Sequence, residues 1–112
     1  MTKNQDYNNE EQQVYVRFKN NKIAEISVPS DFSSEDYMLY TFDDDENLKE
    51  SYETYKCYRR LYVQYENNKV NNYWYHNDRQ FGSAPLIGSD APTIDKILGE
   101  FNITRDDLFV NR

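Results

Sequence analysis

Hydrophobic and polar residues alternate along two neighbouring stretches near the start of the chain. In the first, Val14–Phe18, apolar side chains recur at every second position, and the second, Ile23–Val28, alternates as well. A period of two is typical of a strand with one buried face. Asn20–Asn21 separates the stretches, and Asn accepts the positive φ angles that a tight hairpin turn requires. The sequence therefore predicts an antiparallel hairpin, which ends at Pro29 because proline cannot donate to a ladder.

A second hairpin is predicted further along the chain. Residues alternate in character from Cys57 to Tyr65, and an aromatic stretch, Val70–His76, follows the turn residues Asn67–Asn68. Aromatic and β-branched residues favour strands. We expect the two hairpins to form one sheet.

The segment between the hairpins predicts a short strand and then a helix. Tyr37–Phe42 is rich in aromatic residues and predicts the strand. Apolar residues then recur at helical spacing, at Leu48, Tyr52 and Tyr55. The carboxylates on an adjacent face of this predicted helix are Glu46, Glu50 and Glu53. Asp43–Asp45 would lie at its N-terminus, where negative charge is favourable to the helix dipole.

The last third of the chain predicts a loop and two short helical segments. Gln80–Asp90 contains two glycines and a proline, as loops do. The spacing of the apolar residues after it predicts an amphipathic helix over 94–101, and Thr104 with Asp107 predicts an N-cap for a final turn. The expected architecture is a small α+β domain, residues 13–112, with two hairpins in a sheet and short helices on one face. Residues 1–12 are polar and aperiodic and predict a flexible tail.

The composition of the chain indicates a cellular compartment and a type of source genome. Seventeen residues are Tyr or Phe, and Cys57 is the single cysteine, so no disulfide can form within the chain. No apolar run resembles a signal peptide or a transmembrane helix. We therefore expect a cytoplasmic protein, and thirteen Asn beside eleven Tyr indicate an AT-rich genome, such as that of a low-GC bacterium or its phage.

The net charge of −7 is concentrated in one window, residues 31–53. It holds nine acids and one base, Lys49, while the remaining residues carry twelve bases and eleven acids. The acids are Asp31, Glu35, Asp36, Asp43, Asp44, Asp45, Glu46, Glu50 and Glu53. Such a field attracts basic surfaces and repels nucleic acid and anionic membranes.

Signals for catalysis and metal binding are weak. Asp43, Asp45 and Asn47 match the first ligand positions of a calcium-binding loop, but Leu48 replaces its glycine and Thr54 its bidentate glutamate. The lone cysteine and the lone histidine, His76, have no ligand spacing around them, and a strand cysteine is more often packed than nucleophilic. The three glycines never cluster into a phosphate-binding loop. We predict a protein that is not an enzyme and uses no metal or cofactor.

In size, acidity and Asn/Tyr-rich composition, the chain resembles the broad group of small phage and mobile-element inhibitors, which includes DNA mimics and anti-CRISPR proteins. The resemblance covers no diagnostic motif. Together with the charge it predicts an inhibitor that binds a basic surface of a nuclease or another nucleic-acid-binding protein, without binding nucleic acid or membrane itself. The predicted contact residues are Glu35, Asp36, Tyr40, Asp43, Asp44, Asp45, Glu46, Glu50, Tyr52 and Glu53, because tyrosine is enriched at interface hot spots.

Four other interpretations stay open. The acidic window also suits a solvated face that only keeps the protein in solution. A general interaction module would use the rings of the second hairpin, which are Tyr58, Tyr62, Tyr73 and Trp74. A single-strand nucleic-acid binder would use Arg59 and Arg60 among those rings, although a pI near 4.6 argues against it. Self-association through strand edges would give a homodimer.

Overall fold

The computed structural model of the protein describes residues 6–30, 36–55, 58–75 and 85–109. Seven strands form one antiparallel sheet in which the spatial order equals the chain order. The strands are β1 (Tyr7–Asn9), β2 (Val14–Lys19), β3 (Lys22–Pro29), β4 (Tyr37–Phe42), β5 (Leu48–Tyr55), β6 (Tyr58–Glu66) and β7 (Lys69–Tyr75). The helices within these ranges are α1 (Ile94–Gly99) and α2 (Arg105–Leu108).

The predicted α+β class is wrong, because the fold is mostly β. The two helices span only six and four residues. The segment between the predicted hairpins does not separate them but joins them, since β4 pairs with β3 and β5 pairs with β6. Both hairpins are therefore parts of one continuous meander.

The predicted helix after Glu46 is also wrong, because these residues form β5. Tyr and Thr prefer strands, and β5 has a pairing partner on each side. The aspartates before it close the β4–β5 turn instead of opening a helix. Asp43 Oδ1 accepts hydrogen bonds from the backbone N–H groups of Asp45 and Asn47, both at 2.9 Å. Asp side chains that bond to nearby backbone in this way favour turns over helices.

Both predicted hairpins and the strand at Tyr37–Phe42 are confirmed. The turn residues Asn20 and Asn21 have φ angles of 53° and 64°, and Asn67 and Asn68 have 54° and 62°. These left-handed values match the right-handed twist of the flanking strands. The Asn-Asn pairs therefore set the register of β2–β3 and of β6–β7.

The two faces of the sheet differ in what covers them. The inner face carries Val16, Ile26, Tyr40 and Ser51, which oppose one another across β2 to β5. The main core lies on this side of the sheet, where the apolar residues of α1 and α2 pack against those of the strands. Its fully or almost fully buried members are Val14, Val16, Ile23, Ile26, Val28, Phe42, Leu48, Ile94, Ile97, Leu98, Ile103 and Leu108.

The predicted helix cap at Thr104 is confirmed, and Thr93, for which no cap was predicted, caps the other helix. The Thr104 side chain accepts a hydrogen bond from Asp107 N, and the Asp107 carboxylate accepts one from Thr104 N at 2.8 Å, so the pair forms a capping box. Thr93 caps α1 in the same way through Lys96 N. These caps satisfy N–H groups that helices this short leave without internal partners.

Part of the predicted flexible tail is a strand. Tyr7–Asn9 pairs with β2, and Tyr7 packs against the main core. Residues 1–5 lie outside the described residues, and the division at residue 13 stays a prediction.

Candidate functional site

The β4–β5 turn holds four of the predicted contact residues, and their carboxylates fall into two kinds. Asp43 and Glu46 are structural, because Asp43 binds the N–H groups of its own turn and Glu46 Oε2 accepts from Ile23 N at 2.8 Å. Asp44 and Asp45 are exposed, and no cationic side chain in the described part of the chain pairs with them. The turn therefore presents two unneutralised carboxylates to solvent.

Arg105 connects this turn to the helices. Its guanidinium lies 3.2 Å from Glu46 Oε1 and 3.1 Å from Asp95 Oδ1. Two further carboxylates, Asp106 and Asp107, follow it directly in α2 and are exposed. We call the set Asp43–Glu46, Asp95, Asp106 and Asp107 the acidic end of the molecule. The sequence shows these later acids, but only the fold shows that they adjoin the turn, because the Arg105–Glu46 contact spans 59 residues.

Glu50 and Tyr52 lie on the outer face, the face opposite the main core. A row of residues crosses that face in register: Tyr15, Ser27, Leu39, Tyr52, Tyr62 and Trp74. The ring of Tyr62 stacks on Tyr52 at a centroid distance of 4.8 Å and on Trp74 at 5.2 Å. Trp74 is 46 % exposed. We call Tyr52, Tyr62 and Trp74 the aromatic row.

Glu50 is tied to the aromatic row by a hydrogen bond. The Tyr62 hydroxyl donates to Glu50 Oε2 and accepts from Gln64 Nε2 at 3.0 Å. Burial of the hydroxyl, with the hydrogen bond to Glu50, raises the pKa of Tyr62 to about 12. The phenol is thus held in its neutral, donating form, which fixes the orientation of the central ring.

Glu53 lies on the inner face, where it pairs with Arg60. The Arg60 Nε donates to Glu53 Oε1 at 3.1 Å, and a second guanidinium nitrogen contacts the same oxygen. Their side chains are only 14 % and 7 % exposed. Arg60 is the extra residue of a bulge in β6, since Leu61 opposes Glu53 and Arg59 opposes Thr54. The pair is buried structure, and Arg60 does not offer its charge to a nucleic acid at the surface.

Two further predicted contact residues, Asp36 and Tyr40, also lie away from the tip of the turn. Asp36 is 3 % exposed and accepts a hydrogen bond from the Thr54 hydroxyl at 3.2 Å. Tyr40 is half-buried and packs against the main core. Glu35 lies outside the described residues. The fold therefore divides the nine described residues of the predicted contact set among the acidic end, the outer face and the buried side of β4–β5, where one continuous surface was predicted.

The rings of the second hairpin divide in the same way. Tyr62 and Trp74 belong to the aromatic row, whereas Tyr73 packs against a small second core of Leu61, Val63 and Val70. The aromatic row was missed as a unit, because its members come from three strands. Its signal was the alternation of β6, which places Tyr62 on one face of the strand.

Within the described ranges, no group of three or more His, Cys, Asp or Glu side chains is placed to hold a metal ion. In the partial calcium motif, Asp43 already uses one oxygen for its own turn. Cys57 and His76 lie outside the described residues.

None of the helices in the described ranges has the length and apolar character needed to span a membrane. Comparisons of the chain with protein-family models, with curated proteins and with solved structures find no match.

Proposed function

We propose that this protein is a non-enzymatic inhibitor that binds a basic surface of a nucleic-acid-handling protein and blocks the surface on which that protein holds DNA or RNA. The observation that carries the proposal is the pair of exposed, unpaired carboxylates at the tip of the β4–β5 turn. Their charge is reinforced by the other acids of the acidic end. Spaced carboxylates of this kind imitate the phosphates for which such surfaces are built.

The electrostatics of the acidic end favour a basic partner. Seven carboxylates lie there, and Arg105 neutralises part of the charge of two of them, Glu46 and Asp95. Lys19, Lys22 and Lys49 beside the turn add three positive charges, but none of them pairs with a described carboxylate, and Lys22 donates to the backbone oxygen of Asp44. The remaining negative field steers a basic surface toward the turn and weakens as the salt concentration rises.

The outer face provides a second contact for the same partner. Leu39, which stands beside Tyr52 in the register, is four residues from Asp43, or roughly 13 Å along a strand. An ordinary interface of about 800 Å² per partner is wide enough to cover both places. In this mechanism the acidic end orients the partner, and the rings of Tyr52 and Trp74 supply apolar contact area.

The setting of the proposal is the cytoplasm of a bacterial host, where a phage or mobile element would use such an inhibitor. This part rests on the single cysteine and on the Asn- and Tyr-rich composition.

The test is a pull-down from lysate of a low-GC bacterium at low and high salt. The wild type is compared with Asp44→Asn/Asp45→Asn, which removes two charges without touching the carboxylates that hold the turn. Glu10→Gln/Glu11→Gln is the matched control, because it removes two exposed charges at the β1–β2 turn. We expect the wild type to capture a nucleic-acid enzyme at low salt. This enzyme should be lost at high salt and from the Asp44/Asp45 variant, whereas the control variant should retain it.

The recovered partner must also lose its nucleic acid when the inhibitor is added, as measured by electrophoretic mobility shift. A partner that the Asp44/Asp45 variant retains, or that still binds DNA or RNA in the complex, would contradict the proposal.

A second candidate function is a general interaction module that uses the aromatic row, and the exposure of Trp74 is the observation in its favour. Trp74→Ala would then abolish partner capture, whereas Asp44→Asn/Asp45→Asn would leave it unchanged.

The homodimer stays a prediction. One of the two outer strands, β7, is already capped at its start by the hydrogen bond from Val70 N to Ser89 O at 2.8 Å.

A further inference from the structure

A cavity of about 440 Å³ opens at the end of the sheet, between the β2–β3 turn and the β4–β5 turn. Lys19, Lys22 and Lys49 line it, together with Asp43 and Asp44. Ile23 and Phe42 also border it, but their side chains are turned into the main core and are 1 % and 7 % exposed, so the surface that a ligand can reach is mainly polar. Sites for small ligands typically enclose roughly 300 to 1,000 Å³.

The lysines of this cavity are unusual for so acidic a protein. Among the described cationic side chains, four form no ion pair, and three of the four are Lys19, Lys22 and Lys49. The fourth, Lys96, is on α1. The two aspartates of the cavity do not neutralise the lysines, because no lysine nitrogen lies within ion-pair distance of their carboxylates.

The backbone holds these lysines together at a cost to stability. Lys19 and Lys22 are directly opposite each other across the β2–β3 ladder, and like charges in that position repel. Lys49 is the extra residue of a bulge in β5, since Thr41 opposes Glu50 and Phe42 opposes Leu48. Bulges redirect a side chain away from the normal alternation and often occur beside functional sites.

We propose that this cavity binds a nucleoside monophosphate. The lysines supply three positive charges against the charge of about −2 that a phosphate monoester carries, and Lys22 Nζ, which donates to the backbone oxygen of Asp44 at 2.8 Å, keeps two further N–H donors. The carboxylates of Asp43 and Asp44 accept hydrogen bonds from hydroxyl or amino groups of the nucleoside. The same carboxylates oppose a ligand that is anionic throughout. This inference does not depend on the proposed inhibitor function.

The test is a calorimetric titration of the full chain with AMP at low salt, with adenosine and inorganic phosphate as comparison ligands. The variants are Lys19→Gln, Lys22→Gln and Lys49→Gln, with Lys96→Gln as the matched control. Thermal unfolding of each variant verifies that it folds. We expect one saturable site for AMP, and each cavity substitution weakens binding about tenfold, since a hydrogen bond to a charged group is lost. The Lys96→Gln control leaves the affinity unchanged.

The comparison ligands distinguish the parts of the proposal. Adenosine binds far more weakly than AMP if the lysines hold the phosphate, and inorganic phosphate binds far more weakly if the aspartates hold the nucleoside. Absence of saturable AMP binding would overturn the inference. Equal weakening by all four lysine substitutions would also overturn it, because it would indicate diffuse charge attraction.

Discussion

The β4–β5 turn and the far ends of the same two strands carry carboxylates from one acidic window in opposite environments. At the turn, Asp44 and Asp45 lie in solvent without a cationic partner in the described part of the chain. At the far ends, Asp36 and Glu53 are buried, Asp36 beside the Thr54 hydroxyl and Glu53 beside Arg60. Carboxylates of one acidic window are thus exposed to solvent at one end of the two strands and buried beside a partner at the other end.

The difference shows that a charge count along the sequence overstates the field that a partner meets. A buried carboxylate is tolerated only with a partner, so Glu53 brings Arg60 into the interior and contributes little outside. An exposed carboxylate needs no partner and keeps its field. The part of the window that attracts a basic surface is therefore the turn, reinforced by acids of the helices that the window does not include.

The largest loss of stability is expected when the partner of the buried carboxylate is removed. Arg60→Met leaves Glu53 almost buried and unpaired, and we expect a loss of about 3 kcal/mol in the free energy of unfolding. Guanidinium denaturation of the two proteins measures the loss. The corresponding change at the turn, Asp44→Asn/Asp45→Asn, should leave the stability within about 0.5 kcal/mol of wild type.

The double variant Glu53→Gln/Arg60→Met separates the two possible causes. If the loss comes from the uncompensated charge, removal of that charge restores a large part of the stability. A double variant as unstable as Arg60→Met would contradict this explanation and would assign the loss to packing, for example of Arg60 over the Tyr75 ring at 5.7 Å.

Local signals in the sequence predict the parts of this fold that depend on neighbouring residues. The Asn-Asn turns, the strands beside them and the cap at Thr104 are local, and each forms where its residues indicate it. The strand β5 is not local: its helical spacing is overruled by pairing with β4 and β6.

The candidate site was harder to predict for the same reason. Alternation along β5 sends Glu50 and Tyr52 to one face and Glu53 to the other, so the predicted surface divides once a strand replaces the helix. The contact of Arg105 with Glu46, and the stacking of rings from three strands, depend on the completed sheet. No spacing within one segment indicates either of them.

A second prediction sharpens the comparison within the turn itself. Glu46 Oε2 accepts from Ile23 N, and Oε1 pairs with Arg105. In Glu46→Gln an amide NH₂ must face one of these donors, so we expect a loss of about 1 to 2 kcal/mol in urea denaturation. Asp45→Asn, which alters a carboxylate with no partner, should change stability by less than about 0.5 kcal/mol. Equal effects of the two substitutions would show that the turn does not depend on Glu46.

Glu50 provides an intermediate case, because it is half-buried and holds the Tyr62 hydroxyl. Burial and this hydrogen bond raise the pKa of Tyr62 to about 12, from 10.0 for a free tyrosine. A raised pKa in the folded state means that the contribution to stability is complete below pH 10 and is lost as the pH rises toward 12. Phenolate absorbance during an alkaline titration measures the pKa of Tyr62, and comparison with Tyr62→Phe identifies the signal of this residue. Ionisation of Tyr62 together with the exposed tyrosines would contradict the prediction.

The smallest effect is expected at an exposed ion pair of the same residue types. Arg17 Nη2 lies 2.8 Å from Glu25 Oε2 on directly opposed residues of β2 and β3, with the two side chains 61 % and 30 % exposed. Water already solvates both charges, so Arg17→Gln should change the free energy of unfolding by less than about 0.5 kcal/mol. Double-mutant cycles on Arg17–Glu25 and on Arg60–Glu53, measured in the same denaturant, compare the two pairs directly. The exposed pair has good geometry, so the two pairs differ mainly in burial. If the coupling energies of the two pairs were equal, burial would not set the strength of these contacts. The distinction between the two ends of the acidic window would then lose its physical basis.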